Sequence, residues 1–306
     1  MKTIIIGAGM AGLSAARIFI QKGHDVLLLD KGRGVGGRMS TRTIQQAKAD
    51  HGAQYFSVKS PEFKALISEL SAEGIAQEWT LAQRRNTRYI GTKGMSSIPK
   101  KLAENLTVKT NGKVTAINNR TVLTESGHSY EFDNLLITVP MPQVIELLAN
   151  SKIIPTAHDQ AVFNSIEYTP CIAVMAVLKQ PTLIPGGGII LENQPVAWIA
   201  DNFQKGISPV PTVTLHAAAD YSQKYLEDDL QKVAQDMLAS VSQYIFTENI
   251  LSVQVHRWRY SLAEKRCELA FYQLENRPVF LAGDGFGIGN VEGAFLSGYK
   301  AAMAIA

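Results

Sequence analysis

An apolar run, Thr3-Ile4-Ile5-Ile6, passes directly into Gly7-Ala8-Gly9-Met10-Ala11-Gly12. A stretch rich in small residues follows, and a second apolar run, Val26-Leu27-Leu28-Leu29, closes on Asp30. A glycine pattern alone recurs in many loops. Strand, glycines, helix, strand and acid in that order are far more restrictive, because each part has a task in gripping a dinucleotide. Gly7 permits the tight turn out of the strand, Gly9 admits a pyrophosphate close to the backbone, and Gly12 lets helix and strand pack. The helix N-terminus offers free N–H groups to phosphate charge. Asp30 falls at about the ~20-residue spacing where a carboxylate meets the adenosine ribose, and an acid there favours free hydroxyls over a 2′-phosphate.

The rest of the composition sets limits on partners. A net charge of +3 over 306 residues, with no dense Lys/Arg run, gives no basis for nucleic-acid binding. The apolar share of 46% and charged share of 19% are those of an ordinary globular chain. Cys171 and Cys267 lie far apart and form no metal or redox motif, so no metal is expected and inert thiols in a reducing cytoplasm are the simpler reading. The N-terminal apolar run is broken by glycines and reads as a strand, not a leader. No run approaches the ~18 apolar residues that span a bilayer. A cytoplasmic location, with no membrane and no obligatory protein partner, is expected.

After Asp30 the segment Lys31-Gly32-Arg33-Gly34-Val35-Gly36-Gly37-Arg38-Met39-Ser40 is too glycine-rich for a helix. It places basic residues beside the expected pyrophosphate, where Arg38 could make a bidentate phosphate contact. Asp50-His51-Gly52-Ala53-Gln54-Tyr55-Phe56 breaks helical periodicity again. It suits either a backbone lying along a flat ring or a strand end with core aromatics. Ser60-Pro61-Glu62 opens a helix that Gly74 stops, with Phe63, Leu66, Ile67 and Leu70 on its buried face. Strands are expected over 78–90, then a glycine loop from Gly91 and a short helix carrying Ile98 and Leu102.

Short strands around Val114–Ile117 and Val122–Leu123 precede a buried strand over 135–139 and a helix over 143–148. Strand candidates over 171–178, 188–191, 197–200 and 213–217 then lead to a long amphipathic helical region over 221–245 and a strand over 251–258. This reads as a mixed sheet with a helix on one face, a separate lobe. The C-terminus carries the second strong signal. Pro278–Asp284 is a buried strand ending in Gly283-Asp284, and Asn290–Gly298 starts a helix rich in small residues. Both belong at the sheet edge where ligands bind.

These two termini together resemble the FAD-dependent amine oxidase superfamily. Gly36-Gly37-Arg38-Met39-Ser40, His51–Phe56, Gly91–Ser96, His256-Arg257-Trp258 and Val291–Gly298 narrow the resemblance to bacterial renalases. It spans nearly the whole chain and is densest over the FAD-binding parts. It implies an α/β fold: a discontinuous Rossmann-type FAD-binding domain (residues 1–74, 95–165 and 270–306) with a second α+β substrate domain (75–94 and 166–269). It places non-covalent FAD on Gly7, Gly9, Ala11, Gly12, Asp30, Lys31, Arg38 and Met39, with Val114 at the adenosine end and Gly283 and Asp284 at the ribityl and phosphate portion. Gln54, Tyr55 and Phe56 would lie near the isoalloxazine, and the helix start at Val291, Glu292 and Ala294 would face its pyrimidine edge.

The activity implied is oxidation of 2- and 6-dihydro isomers of NAD(P), with dioxygen yielding hydrogen peroxide. Such substrates are already good hydride donors, so no catalytic acid or base is needed, and no triad or carboxylate pair is evident. The rival is amine or desaturase-type oxidation. Against it, Asn290 stands where amine oxidases commonly carry an aromatic, and neither cysteine has the setting of a flavin attachment. A flavin-binding sensor without turnover is the third possibility. Tyr55, His216 and Trp258 are the candidate substrate-pocket residues, although His216 and Trp258 also suit ordinary core positions.

Overall fold

The computed structural model describes residues 1–81 and 87–306. The opening strand, Lys2–Ile6, lies at the centre of a six-stranded sheet. Asn134–Ile137 pairs on one side and Asp25–Leu29 on the other, both parallel, with Ile4 opposite Leu135 and Leu27. Val279–Leu281 adds beyond Asn134–Ile137, and Thr107–Lys109 beyond Asp25–Leu29, again parallel. Tyr272–Gln273 closes the edge antiparallel. Near-continuous apolar runs are what a parallel sheet covered on both faces requires. Ile4, Ile5, Leu28, Leu135 and Leu136 are accordingly buried.

One face of this sheet carries the helix Met10–Gln21 and the C-terminal helix Asn290–Ile305, packed against each other. A Cβ on Gly298 would stand 2.0 Å from the Ala11 carbonyl oxygen, so that crossing needs glycine. Ser14 Oγ donates to the Phe295 carbonyl (2.8 Å) at the same contact. The helix Pro61–Ala72 joins this layer through Phe63 and Leu70, capped by Ser60 and followed by Gly74 at φ +71°. The other face is covered by Met141–Asn150, with Val144, Leu147 and Leu148 inward.

A second sheet has five strands in the order Gly188–Ile190, Val196–Asp201, Thr212–Ala217, Glu167–Leu178, Ile250–Lys265, and all its pairings are antiparallel. The expected strand over 251–258 runs on to Lys265, because it pairs with Glu167–Leu178 along almost its whole length. The expected helical region over 221–245 is two helices, Ala219–Lys224 and Leu230–Ser240. The acidic run Glu227-Asp228-Asp229 interrupts it. Asp229 accepts from the Gln231 N–H (2.9 Å) as an N-cap, and Glu227 turns to Arg257 and Arg259. Leu230–Ser240 covers the sheet with Val233, Met237 and Leu238.

Of the strands expected over 78–90, Ala76–Trp79 and Arg88–Gly91 pair antiparallel, while positions 82–86 lie outside the described residues. The hairpin Thr41–Ile44 with Ala47–Asp50 packs against Thr212–Ala217 and so links the two sheets. Among the described residues no helix is long and apolar enough to cross a membrane.

Candidate flavin-binding active site

The C-terminal ends of the parallel strands open into one cavity of about 1290 Å3. Single small-molecule pockets run to about 300–1,000 Å3, so the space suits a dinucleotide together with a second ligand. Gly7, Gly9, Ala11, Asp30, Lys31, Arg38, Met39, Val114, Gly283 and Asp284 line it. So do Gln54, Tyr55, Phe56, Val291, Glu292 and Ala294, as well as His216 and Trp258. The cavity therefore gathers every residue that the sequence singled out except Gly12. That residue stands behind the wall, where a Cβ would lie 2.0 Å from the Gly7 carbonyl oxygen.

The phosphate-sized end is built from backbone. Gly7 sits at φ +104°, and Gly9 begins Met10–Gln21 without any side-chain cap, leaving the first N–H groups of the helix uncapped by a side chain. Asp30 is held in place by two backbone donors, Ala8 N–H to Oδ2 and Gly32 N–H to Oδ1, both at 2.7 Å. Its remaining lone pairs suit ribose hydroxyls. Lys31 donates to Gln143 Oε1 (3.0 Å) at this end.

Arg38, expected at the phosphates, lines the cavity and is engaged within the chain by Asp284. Its Nη1 donates to Asp284 Oδ2 (2.7 Å) and its Nη2 to Asp284 Oδ1 (2.5 Å). Nη1 also reaches the carbonyls of Ser261 (3.1 Å) and Tyr260 (3.3 Å). The bidentate fork is thus spent on a carboxylate. Burial opposes the charge of Arg38, but Asp284 outweighs it and leaves the guanidinium pKa above its ordinary value. Tyr168 Oη donates to the same carboxylate (3.3 Å); burial, then the Asp284 charge, pushes its phenol upward.

The helix Asn290–Ile305 points its N-terminus at the cavity with no side-chain cap on Gly289. Glu292 is buried, and its carboxylate turns to the N–H groups of Lys59 (3.0 Å) and Ser60 (2.6 Å), at the start of Pro61–Ala72. Phe56 packs its ring on Phe63 at 5.5 Å and belongs to the core as much as to the cavity. Tyr55 is held by Trp198 at 5.6 Å and by Arg88 at 5.5 Å.

The far end is aromatic and imidazole-rich. His51 stacks on Trp258 at 5.2 Å and meets His256 edge-on at 5.0 Å. Trp258 Nε1 donates to the His51 carbonyl (2.8 Å), and His216 Nε2 lies 3.2 Å from the same oxygen. Burial pulls His51 down to about 3 and both His216 and His256 to about 4, so all three are neutral at pH 7. Gln54 spends its amide N–H groups on the carbonyls of Asp50 (2.6 Å) and Gly52 (3.0 Å). Its Oε1 has no hydrogen-bond partner within the chain.

Beneath this motif lies a pair that the sequence did not reveal. Lys205 and Asp50 are both fully buried, with Nζ 3.1 Å from Oδ2. Lys205 also donates to the Gln54 carbonyl (3.0 Å), while Asp50 Oδ1 accepts from Thr41 Oγ1 (2.6 Å) and Met95 N–H (2.8 Å). Nothing in Asp201–Gly206 marks its lysine as buried; only the fold brings it beneath Gln54. His51 and His256 stood in motifs read from the sequence without being given a role.

A cradle that Cβ atoms would fill and uncapped helix ends at two points of one cavity fit a flavin dinucleotide. Fold and cavity define a dinucleotide-dependent oxidoreductase. The chain belongs to the flavin containing amine oxidoreductase family, whose profile matches residues 72–306, and residues 5–70 match an NAD(P)-binding Rossmann-like domain. Flavin chemistry on a dinucleotide grip makes the cofactor FAD.

Renalase of Mus musculus is 24% identical over 334 residues, covering 97% of this chain and 96% of that one. Putrescine oxidase of Kocuria rosea is 39% identical over 70 residues, only 23% of this chain and 15% of the relative. A solved structure of wild-type putrescine oxidase bound to putrescine superposes with a TM-score of 0.75 at 15% identity, covering 100% of this chain and 99% of that one. At that identity the likeness is one of fold.

Proposed function

We propose that this flavoprotein oxidises dihydronicotinamide dinucleotides of the 2- and 6-dihydro type, using dioxygen: substrate, O2 and a proton give NAD(P)+ and hydrogen peroxide. The observation that carries this reading is the charge of the substrate-side wall. Ile190, Ala197, Trp198, His216, the segment His256–Leu262 and Arg88 form it, and no carboxylate is among them. Its charged members are Arg88, Arg257 and Arg259; the last two share one carboxylate, Glu227, which is not a lining residue, so the wall stays net positive. An ammonium substrate would meet cations there, whereas an anionic dinucleotide is attracted. Renalase likeness along the whole chain points the same way.

Bound FAD supplies a hydride acceptor whose electrons pass on to dioxygen. The chain's own residues bind and orient. Trp258, stiffened by His51 behind it, and Tyr55, held by Trp198 and Arg88, offer flat faces to a planar ring. The three neutral imidazoles neither repel nor protonate a dihydropyridine, which is acid-labile. The uncapped start of Asn290–Ile305 supplies positive potential where a hydride acceptor gathers negative charge. No side chain needs to take a proton from the substrate.

On this reading FAD is held without a covalent bond, since neither cysteine is among the lining residues. Residues 1–74, 95–165 and 270–306 act as the cofactor unit, and 75–94 with 166–269 as the substrate unit. A cytoplasmic location follows from that substrate. The test is stoichiometry in air: purified holoenzyme with a 6-dihydro-NAD preparation should consume one dioxygen and release one peroxide per NAD+ formed. Peroxide released from putrescine, with none from the dihydronicotinamides, would refute the assignment and favour amine oxidation.

A further inference from the structure

The antiparallel sheet sets a row of side chains across the cavity wall. Trp198 pairs with His216, His216 with Ala173, and Ala173 with His256, so the four stand opposite one another on one face. Trp198, His216 and His256 line the cavity, whereas the small Ala173 between the two histidines is buried and does not. With strands about 4.8 Å apart, His216 and His256 are roughly 10 Å apart at the backbone and leave a notch over Ala173. Trp258 flanks the notch on the strand of His256, the two ring centroids 4.2 Å apart.

Hydrogen bonds within the chain fix both tautomers. His216 Nε2 lies 3.2 Å from the His51 carbonyl oxygen, which can only accept, so Nε2 carries the proton and Nδ1 keeps a lone pair. His256 Nδ1 lies 3.5 Å from Arg42 Nη2, and a guanidinium can only donate, so here Nδ1 accepts and Nε2 carries the proton. Among the described residues neither His216 Nδ1 nor His256 Nε2 has a partner, and both atoms are accessible. The wall therefore offers one bare acceptor and one bare donor on the two sides of the notch. An ammonium brings no acceptor and a carboxylate no donor; a primary amide brings both. A carboxamide with a hydrogen bond of about 2.9 Å at each side spans roughly 8 Å, which suits the gap.

Building on the dihydronicotinamide reading, we propose that His216 and His256 form a carboxamide subsite: His216 Nδ1 accepts from the amide N–H and His256 Nε2 donates to the amide oxygen, with the ring laid against Trp258. The pair determines specificity for a carboxamide and moves no proton in the hydride step.

The experiment uses FAD-loaded wild type, His216→Leu, His256→Leu and His256→Gln, titrated calorimetrically. Wild type should bind NAD+ about tenfold more tightly than its 3-acetylpyridine analogue, whose ketone accepts but cannot donate. Nicotinamide against 3-acetylpyridine should show the same order. His216→Leu should erase that difference, while His256→Leu should weaken both dinucleotides about tenfold and His256→Gln, which can still donate, should weaken them less. Nitrogen NMR of histidine-labelled wild type should find the proton on Nε2 of both residues. Equal binding of amide and ketone by wild type would overturn the subsite, as would a proton on His216 Nδ1. AMP binding that weakens in the leucine variants as NAD+ binding does would overturn it by assigning the pair to an adenine edge, and loss of FAD from them would assign it to the cofactor. If wild type oxidises no dihydronicotinamide, the functional reading falls while nicotinamide against 3-acetylpyridine still decides the subsite.

Discussion

Arg38 and Asp284 are separated by 246 positions, yet they meet in a two-pronged ion pair at the mouth of the strand ends. Each residue was legible from its own motif; their mutual engagement was not, because nothing local specifies a partner so distant. Arg38→Met leaves Asp284 without its counter-ion, with only Tyr168 donating to it, at the rim of the cavity. FAD affinity is expected to fall about tenfold or more, read by flavin release on dilution. The histidines make a pH prediction. Their folded pKa values of about 3 and 4 lie below the unfolded value, so the unfolded chain binds more protons between about pH 4 and 6.5. Stability is then fully present above about pH 6.5 and is lost as the pH falls, by up to about 1.4 kcal/mol per pH unit per histidine. Urea midpoints from pH 7 to 4 should fall, and His51→Gln should flatten that slope.

At the scale of elements, the crossing of Met10–Gln21 and Asn290–Ile305 joins the two ends of the chain and sets both uncapped helix starts toward one cavity. Gly298→Ala places a methyl 2.0 Å from the Ala11 carbonyl oxygen. Destabilisation of about 1–3 kcal/mol is expected from the forced separation, with weakened FAD binding, both measurable by thermal melts with and without cofactor. The opening unit and the Ser60-capped helix were readable because their periodicity, caps and glycines agree. Where tertiary contacts outweigh the local signals, the elements differ from expectation. An Asp N-cap divided the helical region over 221–245, and pairing with Glu167–Leu178 drew the last long strand out to Lys265.

Across the whole molecule, the parallel sheet carries the cofactor grip and the antiparallel sheet supplies the far wall, tied together by the hairpin that ends in Asp50. The buried Lys205–Asp50 pair locks that tie, since it also holds the Gln54 carbonyl. Lys205→Met strands a buried carboxylate and should cost about 3–5 kcal/mol, and K205M/D50N should recover part of it in urea unfolding. No sequence pattern announces this pair, because a lysine on a turn reads as solvated until tertiary structure covers it. The likeness to putrescine oxidase is one of fold, and in this chain the far wall of the cavity carries arginines and neutral imidazoles. On the proposed function, this wall selects an anionic dihydronicotinamide over an amine. Anaerobic rapid mixing of the FAD-loaded enzyme tests it most directly, with flavin bleaching followed after addition of 2- or 6-dihydro-NAD or of putrescine. Fast bleaching by at least one dihydronicotinamide isomer and none by the diamine is expected; bleaching by putrescine alone would overturn the proposed function.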